Sequence, residues 1–229
     1  MRMLKSIFLS ITCIVVIASC TSTTNDWDRF GLKGEVMSYK ERSYKAEQKF
    51  GEWMPGEPEE YGNSKANFDT EGRYMSTEVF DNKNRLTRKF VPKYENGKIV
   101  EEAHYDGDGK LELKGKFEHA SDDGYRFESF DEEGEKVSEG ESIYENHRIV
   151  KQFYRDFKDG DFEITILFEY NENGYIELMK QIDAEGDTVN SERFEYPEID
   201  KKGNWTKKLN FKFDDKEPST IVTREYEYY

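Results

Sequence analysis

Histidines and neighbouring acidic residues are the side chains of this sequence that could support acid–base or metal chemistry. His104, His119 and His147 are isolated from one another, and we expect them at the surface or at sheet edges. The adjacent acidic pairs include Glu101-Glu102, Asp122-Asp123 and Glu132-Glu133. In a chain with 49 acidic residues such pairs arise by chance and indicate a solvated face rather than a general acid and base.

The sequence contains no motif that identifies a catalysed reaction. The sequence has no Gly-x-Ser-x-Gly, His-Glu-x-x-His, phosphate loop or Cys-x-x-Cys. Residues 106–109 and 183–187 place carboxylates on tight loops, as calcium sites do, but Lys110 and Leu111 occupy the next ligand positions of the first loop. We therefore predict no catalytic residue, no metal site and no cofactor.

The N-terminal segment ends at a cysteine. Arg2 and Lys5 precede an apolar run of about 12 residues, which is shorter than the roughly 18 to 20 residues of a transmembrane helix. Small residues then precede Cys20. The segment resembles bacterial lipoprotein signals, which implies cleavage before Cys20 and lipid attachment, including a palmitate-type acyl chain. Two or more such chains hold a protein on a bilayer; the alternative is an ordinary secretory peptide.

Residues 1–19 are accordingly predicted to be a removed signal peptide, residues 20–26 a lipidated N-terminus and flexible tether, and residues 27–229 a single β-repeat domain. Thr21 after the cysteine resembles the outer-membrane sorting pattern, with the side of the membrane left open. Cys13 leaves with the signal and Cys20 carries lipid, so no thiol remains for a disulfide.

The mature chain is strongly acidic. The full sequence carries a net charge of −15, and loss of Arg2 and Lys5 makes it −17. Nucleic acid would be repelled by this charge and is excluded as a partner. Aromatic residues make up 15% of the chain, which argues against a disordered protein.

A short unit repeats along the chain: an aromatic residue, Asp or Asn, two polar residues, Gly, one residue, and an apolar residue. The clear copies start at Phe68, Tyr105 and Tyr170; looser copies start at Phe80, Phe130, Ile182 and Ile199. Asp or Asn followed three residues later by Gly is typical of a hairpin turn. Asn96-Gly97 fits a tighter type I′ turn, and Asn84 and His147 stand where Gly is missing.

Alternating apolar residues between the turns predict strands with one wet face, as in Phe162, Ile164, Ile166 and Phe168. We predict an all-β fold: an antiparallel β-meander of roughly 12 to 15 strands, curled as a single sheet or half-open barrel. Residues 43–49 have weak helical potential, and residues 51–62 are predicted to be a long loop.

The repeated units resemble the YD repeats of RHS-type proteins and, less closely, MORN-variant repeats. The C-terminal residues 201–206 and 224–229 resemble the endings of uncharacterised Gram-negative lipoproteins. This resemblance implies a β-hairpin architecture and leaves activity open, because such repeats surround unrelated functions.

Two function classes follow. The favoured one is a non-enzymatic cell-envelope lipoprotein, lipid-anchored at the outer membrane, whose repeat sheet presents a protein- or polysaccharide-binding surface. Its candidate surface is Trp205, Phe211, Tyr226 and Tyr228, with packing inside the sheet as the alternative for these rings. The other class is an envelope-associated hydrolase or transferase with a dispersed carboxylate site, so an enzymatic role stays open.

Overall fold

One short helix and fifteen strands make up the described chain, which covers residues 25–121, 124–158 and 162–229 of a computed structural model. The helix α1 spans Asp26–Arg29. The strands are β1 (Val36–Lys49), β2 (Glu52–Pro58), β3 (Asn63–Phe68), β4 (Tyr74–Phe80), β5 (Leu86–Glu95), β6 (Lys98–Asp106), β7 (Leu111–Ser121), β8 (Gly124–Asp131), β9 (Lys136–Glu145), β10 (Arg148–Asp156), β11 (Phe162–Tyr170), β12 (Ile176–Ile182), β13 (Thr188–Ile199), β14 (Trp205–Lys212) and β15 (Thr220–Tyr228). The all-β prediction is confirmed.

The strands form a closed antiparallel barrel. From β3 onward each strand pairs with the next along the chain, and β15 pairs with β1 from Val36–Tyr228 to Lys45–Thr220. The ring has fourteen positions because β2 and β3 lie end to end along the same edge of β1. The prediction of a curled sheet or half-open barrel is therefore wrong: pairing of the first and last strands removes the open edges.

Residues 43–62 also differ from the prediction. Residues 43–49 continue β1, and most of the predicted loop at 51–62 is β2. Phe50 and Gly51 both have positive φ and make the two-residue turn that pairs Lys49 with Glu52. Pro55 and Pro58 fit in β2 because, among the described strands, β2 pairs with β1 alone, and an edge strand tolerates proline.

The repeated turns form as the sequence predicts. In the β3–β4 turn, one oxygen of Asp69 accepts hydrogen bonds from the backbone amides of Glu71 and Arg73, each at 2.9 Å, and Gly72 has a φ of 79°. The same two bonds recur at Asp81, Asp106, Asp131, Asn171 and Asp200. Asn84 and His147 take positive φ in place of glycine, as predicted, and so does the Asn96-Gly97 pair.

Side chains alternate between the lumen of the barrel and its outer wall. In β7 the lumen side chains at 113, 117 and 119 are half-buried and Gly115 is buried, whereas the outward ones at 112, 114, 116 and 118 are exposed. Strand register carries the lumen face around the ring, from Tyr39 and Glu41 in β1 to their partners Tyr226 and Arg224 in β15. Aromatic and small side chains therefore occupy much of the lumen, together with the charged Glu41 and Arg224, and charged side chains cover the wall.

Residues 25–35, which we call the plug, cross one end of the barrel. The amide of Asp26 donates to the carbonyl of Gly72 (3.0 Å) in the β3–β4 turn. Gly31 lies against Gly174 in the β11–β12 turn. The side chain of Asn204, in the β13–β14 turn, bonds to both the amide (2.8 Å) and the carbonyl (2.7 Å) of Lys33. Asn25 and Asp26, which the sequence placed in the tether, are thus part of the folded domain.

A ring of side chains ties the hairpins together at the plugged end. Each member stands near the end of one strand and bonds to a backbone carbonyl near the start of the preceding one. The bonds are Tyr94 to Tyr74 O, His119 to Ile99 O, Tyr170 to Ile149 O, Tyr196 to Ile176 O and Tyr226 to Trp205 O. Their distances are 2.7 to 2.9 Å, and each joins residues 20 or 21 apart. The structural repeat is therefore a pair of neighbouring strands joined at the plugged end by one hydrogen bond from a side chain to a backbone carbonyl.

Candidate functional site

A cavity of about 260 Å³ lies between the plug and the barrel wall. Five aromatic rings line it: Phe30, Tyr74, Phe117, Tyr125 and Tyr144. Its polar lining consists of Asp26, Arg29, Glu102 and His119. An aromatic cavity with a few convergent polar groups is the usual form of a small-ligand site. Whether a ligand can bind there depends on the partners that these polar groups already have.

Asp26 is committed to holding the plug. It is 5% exposed, and its carboxylate accepts hydrogen bonds from the Tyr74 amide (2.8 Å) and from the Tyr94 hydroxyl (2.6 Å), whose one proton it shares with the carbonyl of Tyr74. Arg29 pairs with its other oxygen at 3.2 Å. Burial and the neighbouring Asp26 raise the pKa of Tyr94, so this hydroxyl stays a donor. The carboxylate is structural because its bonds all serve the protein itself.

The histidines do not come together. His119 lines the cavity with its Nε2 atom 2.7 Å from the carbonyl oxygen of Ile99. His104 faces the lumen, 2.9 Å from Glu102 and with its ring 4.7 Å from that of Phe90. His147 lies in the exposed β9–β10 turn. The expectation of surface positions is thus wrong for His104 and His119, whose strands turn them inward.

Carboxylates in the turns are occupied by the backbone. In the loop considered for calcium, Asp106 accepts the amides of Asp108 (3.0 Å) and Lys110 (2.8 Å). Within the described ranges, no group of three or more His, Cys, Asp or Glu side chains is arranged to hold a metal ion. Asp122 and Asp123 lie outside the described residues.

The perturbed carboxyl groups are all held in the ionised form. Their pKa values are lowered at Glu41, Glu47, Asp69, Asp81, Glu101 and Asp200. At Asp81 the hydrogen bond from the Arg85 amide is the main cause, supported by the Arg85 guanidinium and the Lys83 amide. A general acid needs the opposite shift at neutral pH, so these groups favour a structural role.

The lumen contains an ion pair that the sequence did not reveal. Arg224 and Glu41 are 12% and 21% exposed, with Arg224 Nε 2.9 Å from Glu41 Oε1. The guanidinium stacks between the rings of Tyr39 (4.1 Å) and Trp205 (3.9 Å). Burial opposes ionisation of Glu41, but the charges of Arg224 and Lys208 outweigh it and lower its pKa. The two partners lie 183 residues apart, so no local pattern marks them.

The four aromatic residues predicted as a binding surface do not share one. Trp205 is 6% exposed and packs with Tyr175 and Val222 on the lumen side. Phe211 is 4% exposed and packs with Leu209 and Ile221 on the opposite face, against Trp53 of β2. The Tyr226 hydroxyl bonds to Trp205 O, and that of Tyr228 bonds to Asp200 and Asn204. Packing within the barrel accounts for these rings.

The outer wall of the barrel is covered by ion pairs between neighbouring strands. They include Lys89–Glu78, Lys114–Glu101, Arg126–Glu141, Arg155–Glu163 and Lys180–Glu169, at 2.8 to 3.4 Å. A groove of about 490 Å³ crosses this wall over β7–β10, with Phe153 among acidic and basic side chains. Among the described residues, no helix is both long enough and apolar enough to cross a membrane.

Known proteins resemble this chain in fold, but none of the comparisons assigns it to a family. The chain matches no known family, and it matches no curated protein. Two solved structures are similar to it. A porin-like protein from Bacteroides vulgatus ATCC 8482 has a TM-score of 0.50 and 9% identity, covering 84% of this chain and 98% of its own. A porin-like protein from Bacteroides uniformis ATCC 8492 has a TM-score of 0.46 and 10% identity, covering 85% and 98%.

Proposed function

We propose that this protein is a non-enzymatic lipoprotein of the bacterial cell envelope, anchored at the outer membrane through Cys20, whose water-exposed barrel presents a binding surface for a protein or polysaccharide. The observation that carries the proposal is the charged outer wall. At the midplane of a bilayer, a Lys or Arg on the lipid face of a barrel costs roughly 2 to 4 kcal/mol. A wall made of Lys–Glu and Arg–Glu pairs is therefore suited to water.

Lipid at Cys20 supplies the membrane attachment that such a wall does not. The plug begins at Asn25, so only residues 21–24 lie between the lipidated Cys20 and the plugged end. At about 3.4 Å per residue, the five steps from Cys20 to Asn25 reach no more than about 17 Å. In this arrangement the plugged end faces the membrane, and the opposite end of the barrel faces away from it.

The similarity to a solved protein described as porin-like supports an envelope location. The lowered carboxyl pKa values make Glu41, Asp69 and Asp200 poor general acids, which counts against these groups as the dispersed carboxylate site of a hydrolase or transferase. No observation on the described residues favours that alternative, and the committed bonds of Asp26 and Asp106 count against it.

The test separates a lipid anchor from a barrel that enters the bilayer. In a Gram-negative host, radiolabelled palmitate should label the full chain and should not label Cys20→Ala. With residues 1–20 replaced by an ordinary cleavable secretory signal, the folded barrel should appear in the soluble fraction. Far-UV circular dichroism of the released protein checks its β-structure. A signal-exchanged barrel that stays in membranes after a carbonate wash would contradict the proposal, as would palmitate labelling of Cys20→Ala.

A further inference from the structure

The end of the barrel opposite the plug carries exposed apolar side chains. We call this end the far rim and define it as residues 50–62, 81–86, 106–111, 131–135, 156–158, 162, 183–189 and 213–219. Nine of the fifteen large apolar side chains that are exposed in the described residues lie there: Phe50, Met54, Tyr61, Leu86, Leu111, Phe157, Phe162, Val189 and Phe213. Tyr61 is 77% exposed and Phe213 54%, so this surface has no cover within the described chain.

The repeated turn unit behaves differently at the two ends. At the plugged end its last apolar residue is buried in two copies, with Tyr74 and Trp205 each 6% exposed, and is half-buried at Ile176 in the third. At the far rim the equivalent residues Leu86 and Leu111 are 36% and 37% exposed. The plug covers the first end, because Asp26 contacts the Tyr74 amide and Lys33 is bonded to Asn204, beside Trp205. The far rim is the same kind of surface without such a cover.

Charge distinguishes the ends and limits what can bind. The far rim has 18 acidic and five basic side chains. The plugged end, over residues 25–35, 69–73, 95–98, 145–148, 171–174 and 200–204, has nine acidic and seven basic side chains. A second copy of this chain docking rim to rim would bring two acidic surfaces together, and an anionic bilayer would be repelled in the same way.

We propose that the far rim is a docking surface for a partner protein that presents a cationic face with apolar side chains. The exposed Phe50, Tyr61 and Phe213 would be covered by the partner's apolar groups, and the acidic turns would pair with its Lys and Arg side chains. The inference rests on the proposed function in one respect: an anchor at the plugged end leaves the far rim facing away from the membrane.

The probe is a short synthetic peptide of alternating Lys and Leu, compared with an equally charged peptide of alternating Lys and Ser. Fluorescence anisotropy measures binding to the mature chain carrying Cys20→Ser, so the result does not depend on lipidation. The Lys/Leu peptide should bind about tenfold more tightly than the Lys/Ser peptide. The pair Phe50→Ser and Phe213→Ser should abolish this difference.

Matched charge reversals locate the surface. Glu132→Lys with Glu133→Lys changes the far rim, whereas Glu118→Lys with Glu177→Lys makes the same charge change on the wall near the plugged end. The rim pair should weaken peptide binding about tenfold more than the wall pair. Equal weakening by both pairs would show a response to net charge alone and overturn the proposal. Equal affinity for the two peptides, or binding to phosphatidylglycerol vesicles that the rim variants abolish, would overturn it as well.

Discussion

At the scale of single residues, the pair formed by Glu41 and Arg224 shows how a charge is kept in the lumen. Arg224 has two aromatic faces and a carboxylate around it, and burial of a guanidinium is tolerated only with such partners. Removing Arg224 leaves Glu41 with Lys208 as its nearby cation, and removing Glu41 leaves the cations Arg224 and Lys208 without their carboxylate; either change costs more free energy than the pair itself contributes. The pair joins the first and last strands, so its loss should lower the stability of the whole barrel.

Arg224→Met is expected to lower the free energy of unfolding by about 3 kcal/mol, because the half-buried Glu41 loses its hydrogen-bonded partner and keeps only the charge of Lys208 nearby. The double variant Glu41→Leu with Arg224→Met should recover part of this loss, since it also removes the carboxylate whose charge favours the buried Lys208. Arg126→Met is the control: its pair with Glu141 lies on the wall, and it should cost less than about 1 kcal/mol. Urea denaturation of the four proteins measures these differences, and equal losses for Arg224→Met and Arg126→Met would contradict the argument.

The same pair predicts a pH dependence. The pKa of Glu41 is lower in the folded state than the roughly 4.3 of an unfolded chain. Ionised Glu41 therefore stabilises the fold above about pH 4.3, and this contribution disappears as the pH falls through the lower folded value. Urea denaturation at pH 7 and pH 3 should show that the difference in free energy of unfolding between the original protein and Arg224→Met is smaller at pH 3. A gap of constant size would show that packing, not charge, holds Arg224.

At the scale of elements, the hairpin is the unit that sequence reasoning describes best. Asp81 bonds to an amide two residues away, and Gly72 supplies a positive φ within its own turn. Turns can therefore be predicted from a few consecutive residues. The lumen and wall positions follow from alternation for the same reason. Hairpin β1–β2 was missed because Phe50 takes a positive φ without being a usual turn residue and because prolines interrupt β2. The plug was missed because it has four helical residues and no apolar period.

Tyr196→Phe tests whether the side-chain hydrogen bonds at the plugged end stabilise the hairpins; four of these bonds come from tyrosine hydroxyls. The Tyr196 hydroxyl donates to the carbonyl of Ile176 at 2.7 Å, and burial raises its pKa, so it is a neutral donor across the physiological range. Removing it should lower the free energy of unfolding by about 1 kcal/mol. Tyr61→Phe is the matched control, because Tyr61 is 77% exposed, and it should change stability by less than about 0.5 kcal/mol. If chemical denaturation gives the two variants the same free energy of unfolding, the tyrosine hydroxyl bonds at the plugged end do not stabilise the hairpins.

At the scale of the whole molecule, closure is the feature that the sequence does not encode locally. Strands β1 and β15 alternate like any other strand, and their partners lie up to 192 residues apart, as in Val36 and Tyr228. Accumulating twist predicts a curled sheet, but whether its two edges meet depends on strand number and stagger around the ring. The candidate site has the same limit: Asp26 and Arg29 pair locally within the plug, but Tyr94 lies 68 residues from Asp26 and reaches it only in the folded barrel.

Closure itself can be tested with paired cysteines, because the mature chain carrying Cys20→Ser has no thiol of its own. Lys40 and Glu225 are directly paired across β1 and β15, so Lys40→Cys with Glu225→Cys should form a disulfide under mild oxidation. Lys207→Cys with Thr223→Cys joins the adjacent strands β14 and β15 and should oxidise in a closed or an open sheet. Lys40→Cys with Lys207→Cys spans two strand spacings, about 10 Å, and should stay reduced. Non-reducing electrophoresis and thiol counting by mass spectrometry read the outcome. Oxidation of the β14–β15 pair alone would mean that the first and last strands do not meet, since both pairs have the same chemistry and differ only in whether the barrel is closed.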